Sequence, residues 1–245
     1  MRAVVLAAGY ATRLYPLTRD RAKPLLPVGG VTILDRLVTA LAGAGVEEIA
    51  VVANHRFAPQ FEEWRAAAPA RAAVQILDDG TTSEENRLGA VGDLRFALGR
   101  IGVASDLVVA AADNLFGFSL ASFVEFFRRA GTDCITVRRE PDPARLARTG
   151  VVEIDPSSRV LRFEEKPARP RSTYASPPLY AFTRATLPLV PEYLASGGNP
   201  DAPGHFIAWL CPRRPVHAFV FEGEVFDIGT LESYRALCRR FEANP

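Results

Sequence analysis

The chain is predicted to fold as an α/β domain, with a Rossmann-like, mixed and mainly parallel sheet flanked by helices and a smaller antiparallel portion. Residues 2–7, 48–53 and 106–112 are apolar runs without alternation, which is typical of strands covered on both faces. Segments with apolar residues at helical spacing separate these runs. From Gly150 onward the apolar runs are shorter and proline-rich turns divide them, which indicates antiparallel strands. The order strand, helix, strand predicts right-handed crossovers.

In the first half of the chain, predicted strands and helices alternate. After the first strand the chain enters a loop around Gly9, and apolar residues then recur at helical spacing from Ile33 to Leu41 until Gly43 and Gly45 end the helix. The other elements predicted for this half are helices over residues 59–68, 88–98 and 119–130, the last with Ser119 as its N-cap, and strands over residues 73–77 and 133–138.

In the second half, short strands and helices are predicted. The strands cover residues 150–154, 160–163, 179–182 and 216–222, and the helices cover residues 183–195 and 202–210. Residues 226–230 are interpreted as a connection into a final helix that extends through Phe241. We expect this half to cover the ligand edge of the first half, so that residues 1–245 form one domain.

The composition is that of an ordinary soluble enzyme. Of 245 residues, 48% are hydrophobic and 23% are charged, and 29 basic side chains nearly balance 28 acidic ones. A net charge of +1 gives no electrostatic footprint for a nucleic acid polymer or an acidic membrane. The N-terminus lacks a signal-peptide pattern, and no apolar run approaches the roughly 20 residues that span a bilayer. A cytoplasmic location without membrane partners is therefore expected.

Neither the cysteines nor the histidines form a recognisable site in the sequence. Cys134, Cys211 and Cys238 are odd in number, far apart and without ligand spacing, which argues against a disulfide framework or a zinc site. The three histidines are scattered. No nucleophile-elbow motif accompanies the serines, so a hydrolase triad is not indicated.

Residues 6–28 hold the pattern that points most clearly to a ligand. Small residues around Gly9 let backbone N–H groups approach a ligand closely, and Arg13 and Lys23 are two positive charges on the same loop. The loop is neither a dinucleotide fingerprint nor a Walker loop, because the required glycines and the Gly-Lys-Ser/Thr string are absent. Residue types alone leave two readings open, a polyphosphate cradle or a strand-to-helix turn with surface cations.

Two further segments lie where open α/β sheets bind ligands, at the carboxyl ends of predicted strands. Asp113 ends a buried strand, where a carboxylate is well placed for a metal. The polar residues 78–86 follow another strand and are a candidate specificity loop.

The full string Gly9-x-x-Thr12-Arg13-Leu14-x-Pro16-Leu17-Thr18, followed by residues 23–28 (Lys-Pro-Leu-Leu-Pro-Val), resembles the signature loop of the sugar-1-phosphate nucleotidyltransferases, in particular the glucose-1-phosphate thymidylyltransferase-like members. Where that family usually has glycine, this chain has Ala11. The resemblance implies an enzyme that joins a nucleoside triphosphate (NTP) and a sugar 1-phosphate, giving an NDP-sugar and pyrophosphate. The implied mechanism is a Mg²⁺-dependent in-line attack on the α-phosphate.

The resemblance also implies a role for individual residues. Asp113 and Asp227 would hold Mg²⁺, although each alone could be a helix cap or turn residue. Glu165 and Lys166 match an element that meets the sugar and its phosphate, although a charge run there is ordinarily a solvated strand edge. The implied catalytic residues are Arg13, Lys23, Asp113 and Asp227, and the implied substrate-binding residues are Ala8, Gly9, Thr12, Asp79, Gly89, Gly150, Glu165 and Lys166.

The family pattern is not followed in two places, and both concern substrate identity. Residues 78–82 and 87–90 replace the Gln-x-x-Pro-x-Gly-Leu-Ala string that reads a pyrimidine base in many members, so the base stays open. Pro178 replaces a glycine near the sugar and removes a backbone donor, so the sugar stays open as well.

The resemblance implies a single nucleotidyltransferase domain, with a nucleotide-binding part at about residues 1–130 and a sugar-phosphate-binding part at about residues 131–245. A homo-oligomer is left open. One alternative is a cytidylyltransferase acting on phosphocholine or another non-sugar phosphate, for which Tyr174, Tyr180 and Trp209 could contribute an aromatic cage. A second alternative is a catalytically silent homologue of the same fold.

Overall fold

The structure, a computed structural model, describes residues 1–67 and 73–243. Its strands are β1 (Arg2–Leu6), β2 (Pro27–Val28), β3 (Val31–Thr32), β4 (Glu48–Ala53), β5 (Val74–Asp78), β6 (Leu107–Ala111), β7 (Asn114–Phe116), β8 (Asp133–Arg139), β9 (Gly150–Ile154), β10 (Val160–Glu165), β11 (Tyr174–Ser176), β12 (Leu179–Phe182), β13 (Val216–Val220) and β14 (Val225–Asp227). Its helices are α1 (Ile33–Gly43), α2 (Ala58–Ala66), α3 (Ala90–Ile101), α4 (Leu120–Ala130), α5 (Pro143–Leu146), α6 (Leu189–Ala195), α7 (Pro203–Leu210) and α8 (Leu231–Ala243). None of the described helices is both long and apolar enough to cross a membrane.

One ten-stranded sheet runs through both halves of the chain, in the order β10-β9-β11-β8-β12-β6-β1-β4-β5, with β13 also paired to β8. Strands β5, β4, β1, β6, β8 and β13 run parallel, and β12 lies antiparallel between β6 and β8. Strands β9, β10 and β11 extend the sheet with antiparallel pairing. The prediction of a mixed, mainly parallel sheet with an antiparallel portion in the second half is confirmed.

Helices cover both faces of the sheet, which explains the apolar runs. Alternate residues of β1 point to opposite sides: Ala3 and Val5 belong to the buried cluster that contains Leu34, Phe61 and Phe123 of α1, α2 and α4. Val4 belongs to the second cluster, on the other face, where α3, α6 and α7 pack. A strand buried on both sides needs an apolar residue at every position.

A third buried cluster joins the N-terminal loop to the C-terminal end of the chain. Leu14 and Leu26 of the loop pack with Leu115 of β7, Ile228 after β14 and Leu237 of α8. Strand β14 pairs antiparallel with β7, so that Asp227 lies opposite Asn114. The last strand thus returns to the carboxyl end of β6, where Asp113 is located.

The predictions for the strands and helices need four corrections. Residues 183–188 are not helical, because the Thr183 and Thr186 hydroxyls donate to the carboxylate of Asp133 at 3.1 and 2.6 Å, and α6 begins after Pro188. Residues 226–230, interpreted as a connection, contain the end of β14. The helix predicted from residue 88 begins at Ala90, after Gly89 with φ +77°.

The fourth correction concerns the helix predicted over residues 59–68, which is observed as Ala58–Ala66, while residue 68 lies outside the described residues. Strands β7 and β11 and the short helix α5 were not predicted. Ser119 caps α4 as expected, since its hydroxyl accepts from the Ser122 N–H at 3.4 Å.

Candidate active site

The loop that follows β1, called the Gly9 loop here (residues 7–26), is held in place by side chains from outside its tip. The Asn54 amide donates to the Ala8 carbonyl at 2.9 Å, and its oxygen accepts from the Phe57 N–H at 3.0 Å. Within the loop, the Thr18 hydroxyl donates to the Ala11 carbonyl at 2.8 Å. These bonds fix the backbone path on both sides of Gly9. The backbone N–H groups around Gly9 are the ones predicted to meet phosphate.

Open space lies above Gly9. A Cβ built on this residue would meet no protein atom within 4 Å, and its backbone does not adopt a left-handed conformation. Packing within the protein therefore does not require glycine at this position, whereas close approach of a ligand to the backbone would. The side chains of Thr12 and Arg13 are exposed beside it, while Leu14 is buried and anchors the turn.

Ala11 has the backbone conformation for which glycine is favoured. Its φ is 50° and its ψ is 40°, which is left-handed helical. A residue with a Cβ pays roughly 1 to 2 kcal/mol in this region. The position at which this chain lacks the glycine usual in the resembled family is therefore a strained one.

Lys23 and Asp113, predicted to act together, form an ion pair. Lys23 Nζ lies 2.8 Å from Asp113 Oδ2, and the other carboxylate oxygen accepts from the Asn114 amide at 2.7 Å. Lys23 is 8% exposed and Asn114 is 4% exposed. Two buried donors thus fix the direction of the Asp113 carboxylate at the end of β6.

Asp227 completes a charged group that draws on both halves of the chain. Burial raises its pKa, and the negative charge of Asp113 raises it further, while the charges of Lys23, Arg13 and Lys166 lower it. Its side chain nevertheless reaches solvent. The Asp227 carboxylate is therefore both accessible and subject to the charges of Asp113, Lys23 and Arg13, so all four catalytic residues predicted from the sequence contribute to this charged group.

The donor set suits a hard divalent cation bound together with a polyphosphate. Among the described residues there is no cluster of three or more His, Cys, Asp or Glu side chains that could hold a metal. Mg²⁺ commonly takes one or two carboxylates and completes its octahedron with water and substrate phosphate. Two mutually repelling carboxylates, Asp113 and Asp227, fit that requirement.

The predicted sugar-side residues lie on β9, β10 and the turn after β10. Gly150 is required for packing, because a Cβ there would lie 2.3 Å from the Phe163 ring. Glu165 is half-buried beside the first turn of α7, and burial raises its pKa against the opposing charges of Lys166 and His205. Lys166 is exposed, with φ 46°, and its Nζ lies 3.8 Å from Glu165 Oε1. Its charge also lowers the pKa of Asp227.

Asp79 and Gly89 belong to a second region, called the acidic loop here (residues 78–89). Other groups of the protein hydrogen-bond to Asp79 and pack against Gly89. One Asp79 carboxylate oxygen accepts from the N–H and the hydroxyl of Thr81, both at 2.7 Å. Gly89 has φ +77°, and a Cβ there would lie 2.6 Å from the Pro200 carbonyl oxygen. Because Thr81 engages the Asp79 carboxylate and Gly89 has no side chain, a substrate contact by these two residues would have to come from the loop's backbone.

Sequence reasoning missed Asn54 and Asn114 as supports of the site. Both are buried amides: Asn54 directly follows β4, and Asn114, the first residue of β7, follows Asp113 just beyond the end of β6. A polar residue directly after an apolar run was the signal that identified Asp113, and the same signal was available for Asn54.

The three aromatic residues considered for a choline cage are occupied otherwise. Tyr180 is 2% exposed. Trp209 lies between Phe206 and the guanidinium of Arg213, and Tyr174 lies under Arg139. Each of the three is thus buried or in contact with side chains of the protein itself, which does not favour a shared cage for a quaternary ammonium group.

A parallel sheet whose carboxyl edge carries an open glycine loop, two cations and two facing carboxylates is typical of enzymes that handle nucleotide phosphates. The chain belongs to the nucleotidyl transferase family, whose model matches residues 2–243. This confirms the family expected from the signature loop.

Curated relatives match almost the whole chain. A glucose-1-phosphate adenylyltransferase of Thermomicrobium roseum is 30% identical over 94% of this chain and 57% of its own length. The enzyme of the same name from Rhodopirellula baltica is 27% identical over 98% of this chain and 58% of its own. The chain thus spans a little over half the length of these relatives.

Among solved structures, one of UDP-glucose pyrophosphorylase complexed with UDP-glucose superposes with a TM-score of 0.84 at 18% identity, covering 100% of this chain and 99% of that one. At this level of identity the likeness establishes a shared fold.

Proposed function

We propose that the chain joins an NTP and a sugar 1-phosphate, giving an NDP-sugar and pyrophosphate. The observation that carries this proposal is the charged group around Asp227, where Asp113, Lys23, Arg13 and Lys166 act on a single carboxylate from three separate segments of the chain. Cations facing a carboxylate pair suit two anionic substrates that have to be brought together.

The reaction needs no general base. An oxygen of the sugar phosphate, already anionic at neutral pH, attacks the α-phosphorus and forms the new P–O bond. The bond from that phosphorus to the bridging oxygen of the β-phosphate breaks, and pyrophosphate leaves with the electron pair. Because proton transfer is not limiting, catalysis consists of alignment and charge stabilisation.

The residues of the nucleotide half have distinct roles in this proposal. The backbone N–H groups around Gly9 hold the β- and γ-phosphates, in the open space above that residue. Arg13, which is exposed beside that space, neutralises charge that develops on the α-phosphate and on departing pyrophosphate. Lys23 is fixed by Asp113 and holds the phosphates from the other side.

Lys166 provides the link to the second substrate. Its charge reaches Asp227, while its Nζ lies near Glu165, which we assign to the sugar hydroxyls. Placed between two anions, Lys166 reduces the repulsion that opposes their approach.

Asp113 and Asp227 are the residues that would hold Mg²⁺. A cation bound there supplies charge neutralisation at the α-phosphate, which is a common role of divalent metals in phosphoryl transfer. The raised pKa of Asp227 means that deprotonation and metal binding are coupled, so metal affinity increases with pH through that titration.

We place the NTP against about residues 1–130 and the sugar 1-phosphate against about residues 131–245 of one domain, in an enzyme of the cytoplasm. The continuous ten-stranded sheet supports a single domain. The names of the relatives include an adenylyltransferase, and a structural neighbour binds UDP-glucose, so the base is a matter for experiment.

The test is a substrate panel scored by pyrophosphate release. Each common NTP is combined with a series of sugar 1-phosphates and with phosphocholine, with and without Mg²⁺. We expect release that requires both substrates and the metal, with one NTP clearly preferred. Turnover with phosphocholine but with no sugar 1-phosphate would reassign the acceptor, and nucleotide binding without any turnover would point to a silent homologue.

A further inference from the structure

Two carboxyl groups meet in a buried position between the acidic loop and α3. Asp93, in the first turn of α3, is 6% exposed. Its carboxyl group lies within hydrogen-bonding reach of that of Asp79. Asp79 Oδ2 and Asp93 Oδ1 are both shielded from solvent, and neither has a donor among the described residues. The pair thus brings together two oxygens that accept hydrogen bonds but cannot donate them.

One shared proton resolves this arrangement. A carboxylate only accepts, so two such groups in contact repel unless one of them is protonated and donates to the other. Thr81 already saturates the other oxygen of Asp79 with two donors. Burial, followed by the charge and contact of Asp79, raises the pKa of Asp93 to about 8. Asp93 therefore carries the proton at neutral pH.

The charged groups around the Asp79–Asp93 pair form ion pairs or hydrogen bonds with other residues. Arg87 is the cation that acts on Asp93, and it forms ion pairs with Asp201 and, at 3.3 Å, with Glu84. Asp78, whose charge raises the pKa of Asp79, accepts from His55 at 2.6 Å.

The pair is also connected to the Gly9 loop. Tyr10 is 5% exposed, and its hydroxyl lies near Thr81, Asp79 and Glu84 beneath the acidic loop. The residue next to Gly9 thus packs under the same loop that Asp79 fastens to α3. Displacement of the acidic loop would move the support of Tyr10, and with it the phosphate end of the cleft.

We propose that Asp93 is a positioning residue for the nucleotide: by sharing a proton with Asp79 it fastens the acidic loop to α3 and fixes the distance between that loop and the Gly9 loop. The inference rests on the proposed function, because it places the NTP across both loops. Ionisation of both carboxyl groups releases the loop, so the nucleotide affinity of the wild-type protein depends on pH while the chemistry does not.

The test compares wild type with Asp93→Asn, whose amide donates to Asp79 without a titratable proton. If only the protonated pair binds NTP, the apparent Kd rises in inverse proportion to the protonated fraction, which is about tenfold from pH 7 to pH 9 for a pKa of about 8. The ratio of wild-type to Asp93→Asn KM for NTP should rise about tenfold over this range, with kcat unchanged. Titration of the NTP itself cancels in this ratio.

A second readout needs no substrate. The folded pKa of Asp93 is raised above its unfolded value near 3.8, so the wild type loses stability as pH rises from about 4 to about 8. Because that window spans about four pH units, the melting temperature of Asp93→Asn should rise relative to that of wild type by roughly ten degrees or more across it, and the difference should stay constant at higher pH. Glu63→Gln, which removes an exposed charge from α2, outside both loops, is the matched control and should follow wild type in both experiments.

The outcomes separate this inference from the proposed function. A parallel pH dependence of KM in wild type and Asp93→Asn, in a protein that turns over, would overturn the positioning role alone. Equal melting curves of the two proteins from pH 4 to pH 8 would overturn the shared proton. A wild type that binds no NTP would overturn the positioning role together with the proposed function, even where the difference in melting temperature between wild type and Asp93→Asn is found.

Discussion

The two ends of the proposed nucleotide site, the Gly9 loop and the acidic loop, hold their polar groups in different ways. At the Gly9 end, space is open above the glycine, Arg13 is exposed, and Asp227 reaches solvent beside a carboxylate that repels it. In the acidic loop, Thr81 and Asp93 engage Asp79, and the carbonyl of Pro200 blocks any side chain at Gly89. The polar groups at the Gly9 end are accessible to a ligand, whereas those of the acidic loop are hydrogen-bonded within the protein or blocked by it.

Residues that look alike in sequence therefore have different roles in the two loops. Gly9 and Gly89 each follow a strand near the ligand edge of the sheet, but only Gly89 has a backbone conformation and a steric neighbour that demand glycine. A glycine in the Gly9 loop that the fold does not need leaves the backbone open to close approach by a ligand. A carboxylate already bonded by the fold is explained by the loop it supports.

The largest expected effect is at the open end. Asp113→Ala and Asp227→Ala should each lower kcat/KM by a factor of about 10² to 10³, or about 3 to 4 kcal/mol of barrier, because each removes a group that would hold the metal at the reacting phosphate. Steady-state pyrophosphate release measures this. Asp20→Ala, at an exposed carboxylate of the Gly9 loop, is the control. Activity of both cleft variants within tenfold of wild type would refute the metal assignment.

Replacing Gly9 and Gly89 by alanine tests the difference between the Gly9 loop and the acidic loop. Gly9→Ala should leave the free energy of unfolding almost unchanged and raise KM for NTP tenfold or more, about 1.4 kcal/mol, because the new methyl group fills ligand space. Gly89→Ala should lower the free energy of unfolding by about 2 kcal/mol, because left-handed strain adds to a clash with the Pro200 carbonyl. Urea denaturation measures the free energy of unfolding of both variants, and steady-state kinetics measure their KM for NTP. Equal changes in both quantities for the two variants would contradict the different roles assigned to Gly9 and Gly89.

A smaller effect concerns the metal in the absence of substrates. Mg²⁺ at ten times its Kd should stabilise wild type by about 1.4 kcal/mol, a shift of about 3 to 5 °C in melting temperature for a chain of this size. Asp227→Asn should lose this shift and, without metal, should gain stability relative to wild type as pH rises above 4, since burial raises the pKa of Asp227 in the folded state. A Mg²⁺ shift of equal size in Asp227→Asn would place the cation elsewhere.

The smallest expected effect is at Ala11. Ala11→Gly relieves the left-handed strain at φ 50° but increases the entropy of the unfolded chain, so a gain of up to about 1 kcal/mol is expected. Ala44→Gly, at a residue with φ −86° that follows α1, offers a comparison and should destabilise instead. Chemical denaturation of both variants is the measurement, and destabilisation of both would contradict the strain assigned to Ala11.

The sequence predicted the central sheet because burial on both faces leaves a continuous apolar run, which is visible locally at β1, β4 and β6. It did not predict β14, since the pairing of Asp227 with Asn114 joins segments more than a hundred residues apart and leaves no local pattern. The signature loop pointed to Arg13, Lys23, Asp113 and Asp227 through resemblance, and the structure brings these four residues together.

The role of Asp93 could not be predicted from the sequence, for a different reason. An acidic residue in the first turn of a helix is ordinarily a favourable, solvated partner of the helix dipole. Its burial against Asp79 depends on how α3 packs on the sheet, which periodicity does not specify. For the same reason, the sequence could not distinguish the roles of Gly9 and Gly89.

In the proposed reaction the site aligns two anions and contributes no nucleophile of its own. Cys134 and Cys211 are buried, and burial raises the pKa of both thiols, so neither serves as one. The most direct measurement uses an NTP with a single sulfur of known configuration on the α-phosphorus and determines the configuration of the NDP-sugar formed. Direct in-line attack predicts inversion, whereas retention would mean two displacements through a covalent nucleotidyl-enzyme and would contradict the account.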